Sequence, residues 1–169
     1  YFTQDATLSP PVSPALVTRL LVTALDPILD EACAQADPEA ALLRVKICDP
    51  ACGTGTFLRA AAQCIGRRLA VVRSGRRTPS PKVMRQALYD VICHCLYGVD
   101  IDATSVEVCR HSLALDALAP DATFSCLDQH IQWGNSLLGA TPALLAQGIP
   151  DAAFTPIAGD DKAVAAALR

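Results

Sequence analysis

Asp49-Pro50-Ala51-Cys52-Gly53-Thr54-Gly55-Thr56-Phe57-Leu58 follows the β-branched, alternating run Arg44-Val45-Lys46-Ile47-Cys48. The upstream run reads as a strand, and Thr56 to about Arg73, rich in Ala, Leu and Ile, reads as a helix. Between them, two glycines one residue apart let the backbone turn sharply and approach a ligand with no Cβ in the way. The helix that follows offers N–H groups to a polar or negative group. A phosphate-cradling P-loop needs G-x4-G-K followed by Ser or Thr, and no Lys follows these glycines. A dinucleotide fold wants a third glycine two residues on, where Phe57 and Leu58 stand. A plain tight turn leaves the acidic Asp49 unexplained.

Downstream, Ser74 to Ser80 is a loop by composition, Pro81 to about Cys95 a helix, and Leu96-Tyr97-Gly98-Val99-Asp100 a second strand. Thr104 to Leu118 reads as a third large helix, with Val106, Val108, Cys109, Leu113 and Leu115 mostly inward. His130-Ile131-Gln132-Trp133 is a short third strand, ending in Gly134-Asn135-Ser136-Leu137-Leu138-Gly139. Upstream, Leu16, Val17, Leu20, Leu21, Ala24 and Leu25 recur at helical spacing, and a second helix is expected from Asp26-Pro27 to about Ala36. Ser13-Pro14, Asp26-Pro27, Asp37-Pro38, Ser80-Pro81 and Thr141-Pro142 each place a capping residue before a proline suited to the first helical position. Strands alternating with helices predict an α/β domain with a parallel sheet. Ligands of such sheets sit at the carboxyl ends of the strands, so the loops at Asp49–Gly55, Asp100–Asp102 and Gly134–Ser136 are expected to share one edge. Asp100, ending an apolar strand, is placed to accept both hydroxyls of a ribose, whereas Asp102 suits a helix N-cap.

The chain has 169 residues, 51% hydrophobic and 18% charged, with a net charge of -3. That is enough apolar material for a core, which excludes disorder of the whole chain, and too balanced a charge for a polybasic nucleic-acid binder. Aromatic residues are only 5%, so the core must be built from Ala, Leu, Val and Ile. No apolar run approaches the roughly 20 residues of a membrane span, and the first residues carry no export signal. A cytoplasmic protein without a membrane partner is therefore expected, and the non-Met start points to a piece of a longer polypeptide. The eight cysteines, Cys33, Cys48, Cys52, Cys64, Cys93, Cys95, Cys109 and Cys126, lack the paired spacing of a zinc site. They are read as reduced structural thiols on apolar faces, with no metal. His94, His111 and His130 have no paired acid and are assigned to core or surface. Half of the 14 basic residues, Arg67, Arg68, Arg73, Arg76, Arg77, Lys82 and Arg85, form one cluster. A solvated face explains it most simply. Contact with DNA phosphates through Arg73, Arg76, Arg77 and Lys82 is the functional alternative.

DPACGTGTFL (49–58), LYGVDID (96–102) and GNSLLG (134–139) resemble motifs I, II and III of S-adenosylmethionine-dependent DNA adenine-N6 methyltransferases. The opening Tyr1-Phe2-Thr3-Gln4, with Ser13-Pro14-Ala15-Leu16-Val17 after it, is similar to motif X, although Gln4 replaces the usual Pro and residues 5–12 intervene. The nearest likeness is to the large methylase or fused restriction–modification polypeptides of the type IIG kind, which act in bacterial phage defence. The resemblance runs from about Tyr1 to Gly139 and implies a Rossmann-like class I methyltransferase sheet, present in part. It implies an N-terminal helical segment carrying motif X (1–43), a cofactor-binding α/β core (44–139) and a helical or linker tail (140–169). It implies S-adenosyl-L-methionine as cofactor and DNA as partner. By the same resemblance Phe2 and Thr3 lie against the methionine end, and Asp49, Ala51 and Gly53 line the amino-acid moiety, with Gly55 allowing the close approach. Asp100 holds the ribose hydroxyls, Ile101 packs on the adenine ring, and Asn135 stands where many relatives carry an Asp that accepts from the adenine amino group. An Asn oxygen accepts too, without charge.

Adenine methylases of this family act through an Asn/Asp/Ser-Pro-Pro-Tyr/Phe motif after the fourth strand, and these 169 residues contain none. Ser9-Pro10-Pro11-Val12 lies on the wrong side of motif I and ends in Val, so no catalytic residue is assigned. A non-catalytic module binding S-adenosylmethionine or a related nucleoside is the alternative from another class, and an NAD-type oxidoreductase fragment a third. The chain by itself is therefore expected to transfer no methyl group to DNA, because nothing in it accepts the two N6 hydrogens and holds the base in line. Incorporation of labelled methyl into mixed-sequence DNA checks this; turnover matching a full-length parent would redirect attention to Ser9–Val12.

Overall fold

Proline-led helix starts set most of the architecture. The computed structural model describes residues 12–117, 125–137 and 146–148. Helices α1 (Pro14–Leu20), α2 (Asp26–Cys33) and α3 (Pro38–Arg44) precede strand β1 (Ile47–Asp49). Then come α4 (Thr56–Ser74), α5 (Pro81–Cys95), β2 (Leu96–Asp100), α6 (Ala103–Ala117), α7 (Ser125–His130) and β3 (Ile131–Trp133). The chain divides into two units, Tyr1–Ser136 and Leu137–Arg169, and the elements named here belong to the first. Asp37 and Ser80 cap α3 and α5 by accepting from the N–H groups of Ala40 and Val83, each with proline at the helix start. Asp26 does not cap. It stands in helical conformation, and a π-helical turn at Leu21–Leu25 joins α1 to α2 without a break. Pro27 lacks the N–H that would continue the regular ladder, and the wider turn just before it absorbs that loss. Thr141-Pro142 lies outside the described residues.

The sheet is parallel, in the order β1-β2-β3, with Ile47 opposite Leu96, and Gly98 and Asp100 of β2 opposite Ile131 and Trp133. A small three-stranded parallel sheet among helices is compatible with part of a Rossmann-like fold. β1 begins at Ile47 rather than Arg44, because α3 runs on to Arg44, whose side chain bonds Gln35. α7 was not visible in the sequence, and it feeds straight into β3.

One core runs from Leu25 to Ile131. Its largest fully buried side chains include Leu29, Leu42, Leu58, Ile65, Leu69, Ile92, Leu96 and Leu113, all aliphatic, as the composition requires. On α6, Val106, Cys109, Leu113 and Ala117 are buried, whereas Val108 and Leu115 are 43% and 65% exposed. Val108 and Leu115 are seven residues apart and share a face, but that face lies about 200° from Val106 at 3.6 residues per turn. Arginines bind the helices to one another. Arg59 grips Asp116 of α6 with two bonds of 2.7 and 2.8 Å, and Arg68 joins Asp26 and Asp30 of α2. Arg73 reaches Glu39 of α3 at 2.8 Å and Asp90 of α5 at 2.6 Å. No helix among the described residues is long and apolar enough to cross a membrane.

The expectation of reduced thiols throughout is corrected at one pair. Cys93 of α5 and Cys126 of α7 form a disulfide across 33 positions, with Cα atoms 5.4 Å apart. Spacing between neighbouring cysteines could not show a partner so distant in sequence. Cys33, Cys48, Cys52, Cys64, Cys95 and Cys109 are free. By loop-closure entropy, a cross-link over 33 residues restricts the unfolded chain by roughly 3–4 kcal/mol. Cys126→Ala is expected to lower unfolding stability by about 2–4 kcal/mol under oxidising conditions, with no further effect of reductant. Urea unfolding with and without dithiothreitol measures both.

Candidate functional site

All three strands point their carboxyl ends to one edge, so the loops after Asp49, Asp100 and Trp133 meet there. Asp49 closes a small turn by accepting from the Ala51 N–H at 3.1 Å. The Cys52 N–H then donates to the Val99 carbonyl at 3.0 Å, laying the glycine loop against the end of β2. Gly53 has a left-handed φ of 51°, and among the described residues nothing lies within 4 Å of where a Cβ would stand. That side of the glycine loop is therefore open.

Gly55 behaves differently. It is buried with a φ of 88°, and a Cβ would come within 2.7 Å of the Cys109 Sγ on α6. Gly55 thus permits a close approach to α6. It precedes α4, whose first turn carries neither a side-chain cap nor an acidic residue, leaving N–H groups at the site edge. Cys52 and Cys109 sit beneath the loop, both buried. Hydrogen bonding between the two thiols, together with burial, raises Cys52, while the same bond lowers Cys109.

Asp100 is the hub of the edge. Its Oδ2 accepts from the Gly53 N–H at 2.7 Å and its Oδ1 from the Asp102 N–H at 2.9 Å. Its carbonyl accepts from the Gly134 N–H at 2.9 Å. Asp102 caps α6, accepting from the Ser105 hydroxyl and N–H and from the Thr104 N–H. The Ser105 bonds lead in holding its carboxyl below the usual range. The cap therefore acts fully above the ordinary carboxylate pKa of about 4 and is lost as pH falls through the lowered value.

Ile101 and Trp133 stand 63% and 68% exposed beside this hub. Trp133 is the only tryptophan of the chain, and its Nε1–H donates to the Ile101 carbonyl at 3.0 Å. The sequence signal for Trp133, an aromatic residue immediately before GNS, is weak and marks only a strand end. Asn135 is exposed on the third loop. Asp49, Ala51, Gly53, Asp100, Ile101 and Asn135 all lie in the three edge loops, and Phe2 and Thr3 lie outside the described residues. An apolar cavity of about 200 Å³, bordered by Leu21, Ala24, Ile28, Ile47 and Phe57, opens between the N-terminal helices and β1. It carries almost no polar atoms, so it lacks the means to orient a polar cofactor.

The basic cluster is split by the structure. Arg68 and Arg73 are engaged by carboxylates, while Arg76, Arg77, Lys82 and Arg85 are exposed. With 19 residues, α4 carries the chain roughly 27 Å away from Gly55 before Arg76 is reached. His94 and His111 are exposed, each with Nδ1 at the carbonyl four residues earlier. Half-buried His130 lies 4.3 Å from the Tyr97 ring. Among the described residues, no three His, Cys, Asp or Glu side chains gather as a metal site.

Comparison with known proteins finds similarity to the type II restriction enzyme and methyltransferase RM.Eco57I of Escherichia coli. The two are 27% identical over 114 residues, covering 57% of this chain and 11% of that protein. This weak similarity supports a relationship to restriction–modification methyltransferases at the level of the family only. The chain therefore matches a small part of its relative's length. No family model and no solved structure matches.

Replacement of the two glycines separates their roles. Gly53→Ala is expected to cost about 1–2 kcal/mol of stability, from the left-handed backbone alone. Gly55→Ala adds overpacking against Cys109 and should cost about 2–5 kcal/mol. Urea unfolding of both variants measures the difference, and equal losses would contradict this assignment.

Proposed function

We propose that this chain is the S-adenosylmethionine-binding part of a DNA methyltransferase of the restriction–modification type, acting on adenine N6. The observation that carries this reading is Asp100, whose carboxylate ends β2 and binds the glycine loop. A carboxylate has about four acceptor positions, and two are taken by the Gly53 and Asp102 N–H groups. Two remain for a pair of ribose hydroxyls. The space over Gly53 suits the amino-acid end of the cofactor, near Asp49 and Ala51, with Ile101 against adenine and Asn135 toward its amino group. Phe2 and Thr3 would complete the methionine end.

Charge favours the same class of ligand. The loops at 49–55, 100–102 and 134–136 contain three carboxylates and no Lys or Arg. Such an edge disfavours the pyrophosphate of NAD and tolerates a cofactor with a positive sulfonium. When bound, that cofactor supplies an electrophilic methyl group. The residues of this chain bind it, orient it through Asp100 and keep the loop rigid. Arg76, Arg77 and Lys82 remain the candidates for phosphate contacts of the whole protein, at a distance from the transfer site. The similarity to a restriction enzyme and methyltransferase supports DNA as the partner.

Calorimetry is expected to show S-adenosylhomocysteine binding more tightly than NAD, and the reverse order would overturn the reading. Asp100→Ala should weaken S-adenosylhomocysteine by at least ten-fold, since each charge-assisted hydrogen bond lost is worth roughly 1.5–3 kcal/mol. Asp102→Ala should change affinity less and act on stability, through the lost cap of α6.

A further inference from the structure

Trp133 is held firmly and yet left bare. Its Nε1–H donates to the Ile101 carbonyl at 3.0 Å, and its backbone pairs with Asp100 across β2 and β3. The indole is thus fixed from two sides, by β3 and by the loop after β2. A tryptophan can bury 150–250 Å² of surface, but this one is 68% exposed, and its neighbour Ile101 is 63% exposed. Other apolar side chains are exposed as well, Val22, Ile28 and Leu115 among them, but Ile101 and Trp133 are the ones that adjoin Asp100, where the three loops meet. Adjacent strands lie about 4.8 Å apart, which sets Trp133 one strand spacing from the Asp100 backbone.

We propose that Trp133 is the stacking wall that selects an aromatic base, with its pinned indole face taking the purine ring of the nucleoside whose ribose Asp100 holds. This rests on the nucleoside reading of the site. The flat π-face fits a heteroaromatic ring. The surrounding Asp49, Asp100 and Asp102, with no Lys or Arg in the three loops, fit a nucleoside without phosphates. Prior fixation by the Ile101 carbonyl means that little rotamer freedom is lost on binding. Trp133 is in this view a specificity residue that touches the ligand, and its bond to Ile101 positions it.

Because Trp133 is the chain's only tryptophan, its fluorescence reports this face alone. S-adenosylhomocysteine is titrated into the 169-residue chain by calorimetry and by tryptophan fluorescence, and into Trp133→Ala and Trp133→Phe by calorimetry. The expected result is a fluorescence change with the calorimetric Kd. Trp133→Ala should weaken binding by about ten-fold or more, in line with the loss of base–aromatic stacking, while Trp133→Phe stays within about three-fold of wild type. Phe keeps the ring face but not the N–H, so its rescue separates stacking from loop fixation. Adenosine should quench the fluorescence and ribose should not. Calorimetric binding with unchanged fluorescence, or with Trp133→Ala binding as wild type, overturns the stacking wall and leaves the nucleoside reading standing. No binding heat with the wild-type chain overturns the nucleoside reading and the wall with it. If Trp133→Ala fails to fold, the wild-type fluorescence titration and the Phe variant decide alone.

Discussion

A carboxylate that accepts backbone N–H groups on both oxygens is a strong local constraint, because charge-assisted bonds are about twice as strong as neutral ones. Asp100 makes two such bonds, to Gly53 and to Asp102, while its carbonyl receives the Gly134 N–H. Three loops that enter the edge from three strands are thereby referred to one residue. β2 can lie this close to the glycine loop because Gly98 has no side chain: a Cβ there would sit 3.0–3.1 Å from Leu58 and Cys52. The residue that shapes the edge is also the one proposed to hold the ribose, so scaffold and site are not separable at this point.

Helices that begin with a capping residue and proline were legible in the sequence, and so was β2, whose bounds Leu96–Asp100 agree with the structure. Their signals are local. The sequence is silent where the deciding contact is distant or the local signal is short. Six residues of α7 give too little periodicity to register. On α6, residue type favours Val108 and Leu115 as inward, whereas helical phase places them outside. The loop pattern at Gly55 points to a ligand, and it gives no sign that Cys109 on α6 also leaves no room for a side chain there. Trp133 and the Cys93–Cys126 link depend on neighbours 32 and 33 positions away, which no spacing rule reveals.

Charge along α4 illustrates the same distinction between composition and placement. Seven basic residues between Arg67 and Arg85 look like one cationic surface when read linearly. In three dimensions Arg68 and Arg73 turn inward to carboxylates on α2, α3 and α5. Pairs of this kind, half shielded from water, align helices more than they attract a partner. What remains exposed is Arg67 on α4 and, at Arg76, Arg77, Lys82 and Arg85, a smaller cationic end on the loop after α4 and the first turns of α5.

The π-helical turn at Leu21–Leu25 bears on how this chain can vary in length. Buried Val17 precedes buried Leu25 by eight positions, which in an unbroken α-helix would set them about 80° apart. A π-turn accommodates one extra residue, so the rotation matches that of seven residues and falls within about 20° of two full turns. The apolar stripe of α1 thereby stays in phase with Leu29 and Ala32 of α2. A homologue one residue shorter between Leu21 and Leu25 would keep both stripes aligned on plain α-helix, with Pro27 then marking a simple kink. The turn is a slip joint, where insertion and deletion exchange one helical pitch for another and leave the core unaltered.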